Sequence, residues 1–412
     1  MTETILARQP ILDKNQNVFA YEIIFKDSYK NKIKEENIEI TAEDINNDVE
    51  FVKEKNLSNG KKIFINFTED LLKNEIASLL AKDNLGIEIS EDIKDHPEVL
   101  TEIEKFKKEG TSIILTDIDL YTSKTTLIKY ADIIKIDFNK FQKEEHKIII
   151  NLIRNKYNKK LKFLVENIND YQEFKIAKKC GYDYFQGIFF TKPDITSNKE
   201  LPWYKINYLN FLKELNKDDL NFDRLEKIIK NDMSMTVSLL QTINSAYYGY
   251  NISSIKQAAT MLGINGLKKW SLIYLAEGLR NDKPDILFVN TLTRAKFAES
   301  LAEEFNIDEK SGELFTMGMF SMMDAFLNRP LNGILDEIIV NKEIRDGLLR
   351  REGKFGEILD LVISFERVKW KQISVLEKSY QLNPRKLYNK YLAAVDFSYE
   401  TMNILLESSV KI

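Results

Sequence analysis

From residue 18 to about residue 190 the chain alternates short apolar runs with longer amphipathic segments. The runs VFAYEIIF (18–25), KKIFINF (61–67), LGIEIS (85–90), SIILTDI (112–118), ADIIKID (131–137), LKFLVEN (161–167) and YDYFQG (182–187) have the length and composition of strands. Between them, TEDLLKNEIASLLAK (68–82) and PEVLTEIEKFKKEG (97–110) repeat apolar residues at three and four, the spacing of a helix face. Repeated strand–helix units predict a parallel sheet, and ARQPILD (7–13) supplies the further strand that makes a (β/α) barrel the better fit. After TKPDITSNKELPWYK (191–205), with Pro193 and Pro202, no β pattern returns and helical segments continue to Ile412. The expected architecture is multidomain, α/β followed by all-α, with a barrel domain over residues 1–198 and a helical domain over 203–412. A length of 412 residues suits two cores better than one.

Composition narrows the function. With 43% hydrophobic and 30% charged residues and a formal net charge of −4, the chain reads as soluble and globular and gives no electrostatic reason to expect nucleic acid as a partner. One cysteine, Cys180, excludes an intramolecular disulfide framework and structural zinc, which fits a reducing cytoplasm. Neither an export signal nor an apolar run of membrane-spanning length is present in the sequence. His96 in DHPE and His146 in KEEHKI lie in polar stretches and are expected to be solvated; Cys180 is expected to be a small core residue at a helix end.

Polar side chains fall near the C-terminal ends of successive strands: Glu22, Asn66, Glu88, Asp117, Lys135 with Asp137, Glu166 and Gln186. In a barrel these ends converge on one face, where rigid strands hold groups for chemistry. Glu, Asn and Asp are hard oxygen ligands suited to Mg²⁺ or Mn²⁺, and a lysine among them can position a water or phosphate oxygen, so the implied substrate is a phosphate ester. The same residues also read without chemistry. Glu22, Lys135 and Glu166 then form a buried ion network, with Asn66 and Gln186 as hydrogen-bonding fillers.

Taken in order, RQPILDKNQNVFAYEIIF, INF, IEIS, LTDID, IIKID, VENIND and CGYDYFQGIFFTKP resemble the EAL-type cyclic di-GMP phosphodiesterase domain over about residues 1–200. The resemblance implies a TIM-like EAL barrel. It makes Glu22, Asn66, Glu88 and Asp117 metal ligands, Lys135 the residue that orients the attacking water, Glu166 its supporting carboxylate, and Gln9 and Gln186 nucleotide contacts. The namesake Glu-Ala-Leu stands here as Glu22-Ile23-Ile24. Two positions depart from the family: Thr116 replaces its first metal-contacting aspartate and Asn169 the second glutamate of its Glu-Gly-Val-Glu segment, with Asp170 a possible local substitute. Asp119 stands where the family has glycine. Losing two carboxylates weakens a centre that must offset two divalent ions.

Residues 203–412 contain no histidine, which excludes both an imidazole–carboxylate metal centre and a Ser/His or Cys/His pair there. The stretch 223–270, with NSAYYG (244–249) and ISSIKQAATMLG (252–263), resembles the HDOD domain, a helical relative of the HD phosphohydrolases. Where those enzymes carry metal ligands this chain has Asn290 and Ser321-Met322. Methionines 317, 319, 322 and 323 read as adaptable core packing in preference to a soft-metal or peptide surface. Tyr247, Tyr248 and Tyr250 around Gly249 suit either a binding surface or partial burial. The whole resembles bacterial signalling proteins pairing a degenerate EAL domain with HDOD. The expectation is therefore a cytoplasmic, non-catalytic adaptor without a metal cofactor, engaging protein partners through the HDOD domain, with a homodimer possible. The alternatives are a weak Mg- or Mn-dependent phosphodiesterase that cleaves cyclic di-GMP to pGpG, and a receptor that binds the nucleotide without cleaving it.

Overall fold

The computed structural model describes residues 6–25, 58–69, 72, 84–90, 93, 96–116, 127–157, 160–194, 213–214, 222–231, 235–236, 239–240, 255–338 and 340–409. The chain divides into two compact units, residues 1–190 with 365–370, and residues 191–364 with 371–412.

Eight strands close the first unit into a barrel in sequence order: β1 (Leu6–Asp13), β2 (Val18–Phe25), β3 (Lys62–Phe67), β4 (Leu85–Ser90), β5 (Ser112–Thr116), β6 (Ile133–Asp137), β7 (Lys162–Ile168) and β8 (Tyr184–Gly187). From β2 to β8 all pairings are parallel, but β1 runs antiparallel to both β2 and β8. The alternating pattern pointed to parallel strands throughout; the connection between β1 and β2 is only residues 14–17, too short for a crossover, so these two form a hairpin. Asp13 holds its turn by accepting the backbone N–H of Asn15 and Asn17 at 2.8 and 2.9 Å.

Among the described residues three α-helices lie between the strands: α1 (Pro97–Lys108), α2 (Lys143–Lys156) and α3 (Tyr171–Cys180). Each begins near carboxylates and ends near lysines, as the helix dipole favours. Helix α2 buries His146, Ile149, Ile150 and Ile153, one face at helical spacing. His146 was expected in solvent and is instead fully buried: Tyr182 Oη lies 2.7 Å from Nδ1, the Phe138 carbonyl 3.1 Å from Nε2, and the Phe138 ring stacks on the imidazole. Polar neighbours in KEEHKI mislead because they project from the other side of the helix. His96 is exposed, as its setting indicates, and precedes α1. Cys180 ends α3 but is only half-buried, so it is no core residue. Of the helix expected at 68–82, only residues 68, 69 and 72 lie within the described residues.

The second unit is helical: α4 (Phe222–Asn231), α5 (Ile255–Gly278), α6 (Asp285–Ser300), α7 (Ser311–Phe320), α8 (Met323–Leu327), α9 (Leu331–Glu337), α10 (Lys342–Leu349), α11 (Gly353–Glu366), α12 (Trp370–Ser379) and α13 (Pro384–Ser409). Helix α5 breaks at Gly263, whose φ of 65° lies in the left-handed region. Met317, Met319, Met322 and Met323 are all buried, so this methionine run is core packing. Tyr247, Tyr248 and Tyr250 lie outside the described residues.

Candidate functional site

Strand alternation builds the site in two layers. Inside the barrel, Ile11, Ala20, Phe64, Ile114, Ile133 and Leu164 form one apolar cluster, with Phe19 and Tyr184 packed against it. Two residues further along each strand, side chains return to the same face. Ala20 is thus followed by Glu22, Phe64 by Asn66, Ile114 by Thr116, Ile133 by Lys135, Leu164 by Glu166 and Tyr184 by Gln186. β1 runs the other way, so Ile11 is matched by Gln9, the cross-strand partner of Glu22. A polar ring therefore sits on an apolar plug.

At its centre lies the Lys135 ammonium, 2.9 Å from Glu22 Oε2, 3.1 Å from Glu88 Oε2 and 3.3 Å from Glu166 Oε2. Lys135 is 4% exposed and Glu88 1%, which places this pair out of water, while Glu22 and Glu166 are partly exposed at its edge. Burial disfavours the ammonium, but the three carboxylates outweigh it and hold Lys135 well above the ordinary lysine range. One cation cannot satisfy three anions. Burial and then the Glu22 charge push the Glu88 carboxyl up to about 8, against the pull of Lys135. Burial also raises Glu166, with Lys135 opposing and Glu22 adding to the effect. The sequence indicated Glu22, Lys135 and Glu166 as an ion network; the structure adds Glu88, the most buried member. Its inward position two residues after Gly86 was the available signal.

Gln186, 3% exposed, donates its amide to Gln9 Oε1 at 3.2 Å and to Glu22 Oε2, while its own Oε1 is buried without a hydrogen-bond partner. Gly187 beside it takes φ 150° at the register shift between β7 and β8, where a Cβ would overlap the Ile168 carbonyl. This close approach aims Gln186 inward.

Asn66 is exposed on the strand end, in register with Glu88. Thr116 is buried at the end of β5, a neutral hydroxyl in the ring; Asp117 and Asp119 lie outside the described residues. Asn169 is exposed, its side chain donating to the Asn167 carbonyl at 3.0 Å. Asp170 does not replace the missing carboxylate, because it caps α3, accepting the N–H of Gln172 and Glu173 at 2.9 Å. Asp137 likewise caps its own turn through Asn139 N–H at 2.8 Å. Glu22, Glu88 and Glu166 converge on the Lys135 ammonium, and among the described residues no group of three His, Cys, Asp or Glu side chains that could hold a metal ion is found. Thr116 brings a neutral hydroxyl, and no charge, to this set.

In the helical unit, Ser321 accepts from buried Arg294 at 3.1 Å and donates to the Gly318 carbonyl at 2.7 Å, while Met322 is core. Neither is arranged as a ligand.

Comparison with known proteins agrees with these two architectures. The EAL domain model matches residues 35–193 and the HDOD domain model residues 201–327. YuxH of Bacillus subtilis (strain 168) is 31% identical over 411 residues, covering 97% of this chain and 98% of its own. The cyclic di-GMP phosphodiesterase CdgJ of Vibrio cholerae serotype O1 is 25% identical over 384 residues, covering 90% and 87%. Among solved structures, the EAL enzyme Bd1971 in its cAMP and cyclic-di-GMP bound form matches at 18% identity and a TM-score of 0.39, over 47% of this chain and 62% of that one, less than two thirds of its length. With the EAL and HDOD models matching in this order and a relative 31% identical over nearly the whole chain, the chain belongs to the family of proteins that join an EAL domain to an HDOD domain.

Proposed function

We propose that the protein is a cytoplasmic signalling adaptor whose barrel does not hydrolyse cyclic di-GMP and whose HDOD domain engages protein partners. The observation that carries this reading is Lys135, whose ammonium occupies the middle of Glu22, Glu88 and Glu166 at 2.9–3.3 Å in a ring where Thr116 is neutral. An ion cluster of this kind, centred on a buried lysine, ties four strands together at the barrel mouth. Location in the cytoplasm is consistent with the single cysteine, and among the described residues no helix is long and apolar enough to cross a membrane. Domain limits near 198 and 203 belong to the same proposal.

A second reading is a nucleotide site, as in the relative CdgJ, named a cyclic di-GMP phosphodiesterase. It is favoured by the orphaned Gln186 Oε1, since a buried acceptor without a donor is what an incoming ligand N–H would complete. In that reading Gln9 and Gln186 contact the nucleotide, and Glu22, Asn66, Glu88 and Asp117 are the candidate Mg²⁺ or Mn²⁺ ligands. Calorimetric titration of cyclic di-GMP into the full chain, with and without Mg²⁺, followed by chromatography of the nucleotide, separates the readings. No heat and no product support the adaptor. Binding with intact nucleotide makes the protein a receptor, and release of pGpG overturns the proposal.

A further inference from the structure

The end of the barrel away from the polar ring is marked in the sequence by lysine pairs at the strand entries. GKK (60–62) leads into β3, KKEG (107–110) into β5, NKKLK (158–162) into β7 and AKKCG (177–181) into β8. In a chain of net charge −4 this is a local excess of positive charge. β1 runs the other way, so Lys14, just past its end, joins them. Part of the excess gathers on one carboxylate: Asp183, 8% exposed, receives Lys14 at 3.1 Å, Lys162 at 3.2 Å and Arg154 at 3.0 Å. One anion cannot offset three cations, so the surface around Asp183 is left positive. Helix dipoles account for lysines in the last turns of α1 to α3, but Lys14, Lys61, Lys160 and Lys162 lie outside the helices and are exposed.

A second observation lies on α2, the helix that supplies Arg154. Ile148 and Leu152, one turn apart, are 58% and 63% exposed, and among the described residues of the barrel unit they are the large apolar side chains left on the surface. Lys156, exposed, follows Leu152 one turn further along the same face. Aliphatic side chains running into lysines suit the boundary of an anionic bilayer, where methyl groups enter between headgroups and ammoniums stay among the phosphates. Nucleic acid suits this surface less. The Arg154 guanidinium is committed to Asp183 and to the Gly181 carbonyl, and Phe19 and Tyr184 at the strand starts stack on each other at 4.0 Å instead of offering their faces to bases.

We propose that the exposed stripe of α2 and the lysines around Asp183 dock the barrel on an anionic phospholipid surface. The contact is peripheral, since two aliphatic anchors and solvent-screened charge give reversible, salt-sensitive attachment. This inference is independent of how the polar ring is read.

The test sediments the full-length protein with vesicles of phosphatidylcholine alone and of equimolar phosphatidylcholine and phosphatidylglycerol. Binding is expected to the anionic vesicles only, and it should fall as salt is raised. Lys156→Glu with Lys160→Glu should weaken it about tenfold or more, and Ile148→Gln with Leu152→Gln should weaken it at unchanged net charge. Lys140→Glu with Lys230→Glu changes the net charge equally, at the polar-ring end and in the helical unit, and should leave binding unaltered. Unchanged far-UV circular dichroism confirms that each variant is folded. Equal binding to neutral vesicles, no binding to anionic ones, or equal loss from both lysine pairs overturns the proposal. A short DNA duplex held more tightly than the anionic vesicles also overturns it. So does a dimer that Ile148→Gln with Leu152→Gln converts to monomer in light scattering while vesicle binding persists, because the stripe then lies between two copies of the chain.

Discussion

The Lys135 cluster makes stability depend on pH in an unusual direction, and Glu88→Gln exposes it. In the folded protein the Glu88 carboxyl is pushed up to about 8 from an ordinary 4.5. Between those values the folded chain keeps a proton that the unfolded chain has released. The contribution is therefore fully present below about 4.5 and is lost as pH rises through about 8. At about 1.4 kcal/mol for each tenfold change in proton affinity, the gap corresponds to roughly 5 kcal/mol, an upper figure because Glu22, Glu166 and Lys135 titrate with it. Glutamine presents the same shape without a proton to lose, and its carbonyl can accept from Lys135 as Glu88 does now at 3.1–3.3 Å. Urea unfolding followed by far-UV circular dichroism, in EDTA at about pH 5.5, 7 and 8.5, should show wild-type stability falling as pH rises. The variant should be level with wild type at the lowest pH and more stable at the highest. Wild-type stability that is flat or rises over this range would refute the reasoning, as would a variant that is weaker at the highest pH.

Lys135→Met leaves buried Glu88 and the partly buried Glu22 and Glu166 without their cation and should cost about 3–5 kcal/mol above neutral pH and less in acid, read from the same urea curves. Gly187→Ala forces a Cβ onto the Ile168 carbonyl and should destabilise the barrel by about 3 kcal/mol or more, visible as a lower melting temperature; a melting temperature equal to wild type sinks the close-approach argument. His146 is held neutral, since burial lowers its pKa against the pull of the Phe138 carbonyl, so it contributes stability that is lost as pH falls below the ordinary 6.5. In His96→Gln, which leaves one histidine, the imidazole NMR signal should titrate below 6.5, and a midpoint at or above that value contradicts the burial. Restoring Thr116→Asp together with Asn169→Glu should create Mg²⁺-dependent stabilisation, about 2.7 kcal/mol at a hundred times the dissociation constant; no thermal shift with Mg²⁺ would mean the ring has lost more than two ligands.

The composition of the polar ring was legible because strand period is local. An apolar residue at Phe64, Ile133 or Leu164 commits the residue two positions later to the same face, so Asn66, Lys135 and Glu166 were placed on one rim from the sequence, whereas on β5 the reading named Asp117 and the same period puts Thr116, two after Ile114, on that face. The run of strands separated by helical segments carried the barrel, and the loss of β pattern after residue 191 carried the helical unit. The direction of β1 followed from a connection of four residues, a local fact that the strand–helix rhythm overshadowed.

Other features were decided only by the closed structure. Asp170 reads as a spare carboxylate in VENIND, yet the start of α3 claims it as a cap. His146 reads as solvated among charged neighbours, yet the packed face of α2 buries it against Tyr182 and Phe138. Lys135 is 113 residues from Glu22 and 47 from Glu88; the sequence indicated its pairing with Glu22, but the contact with Glu88 came only from the closed barrel. Which face a side chain takes is set by the backbone next to it, and sequence pattern reports that well. Which charges meet, and which of them must give up a proton, is set by distances across the barrel and by the exclusion of water, and both arise only when the eighth strand closes on the first.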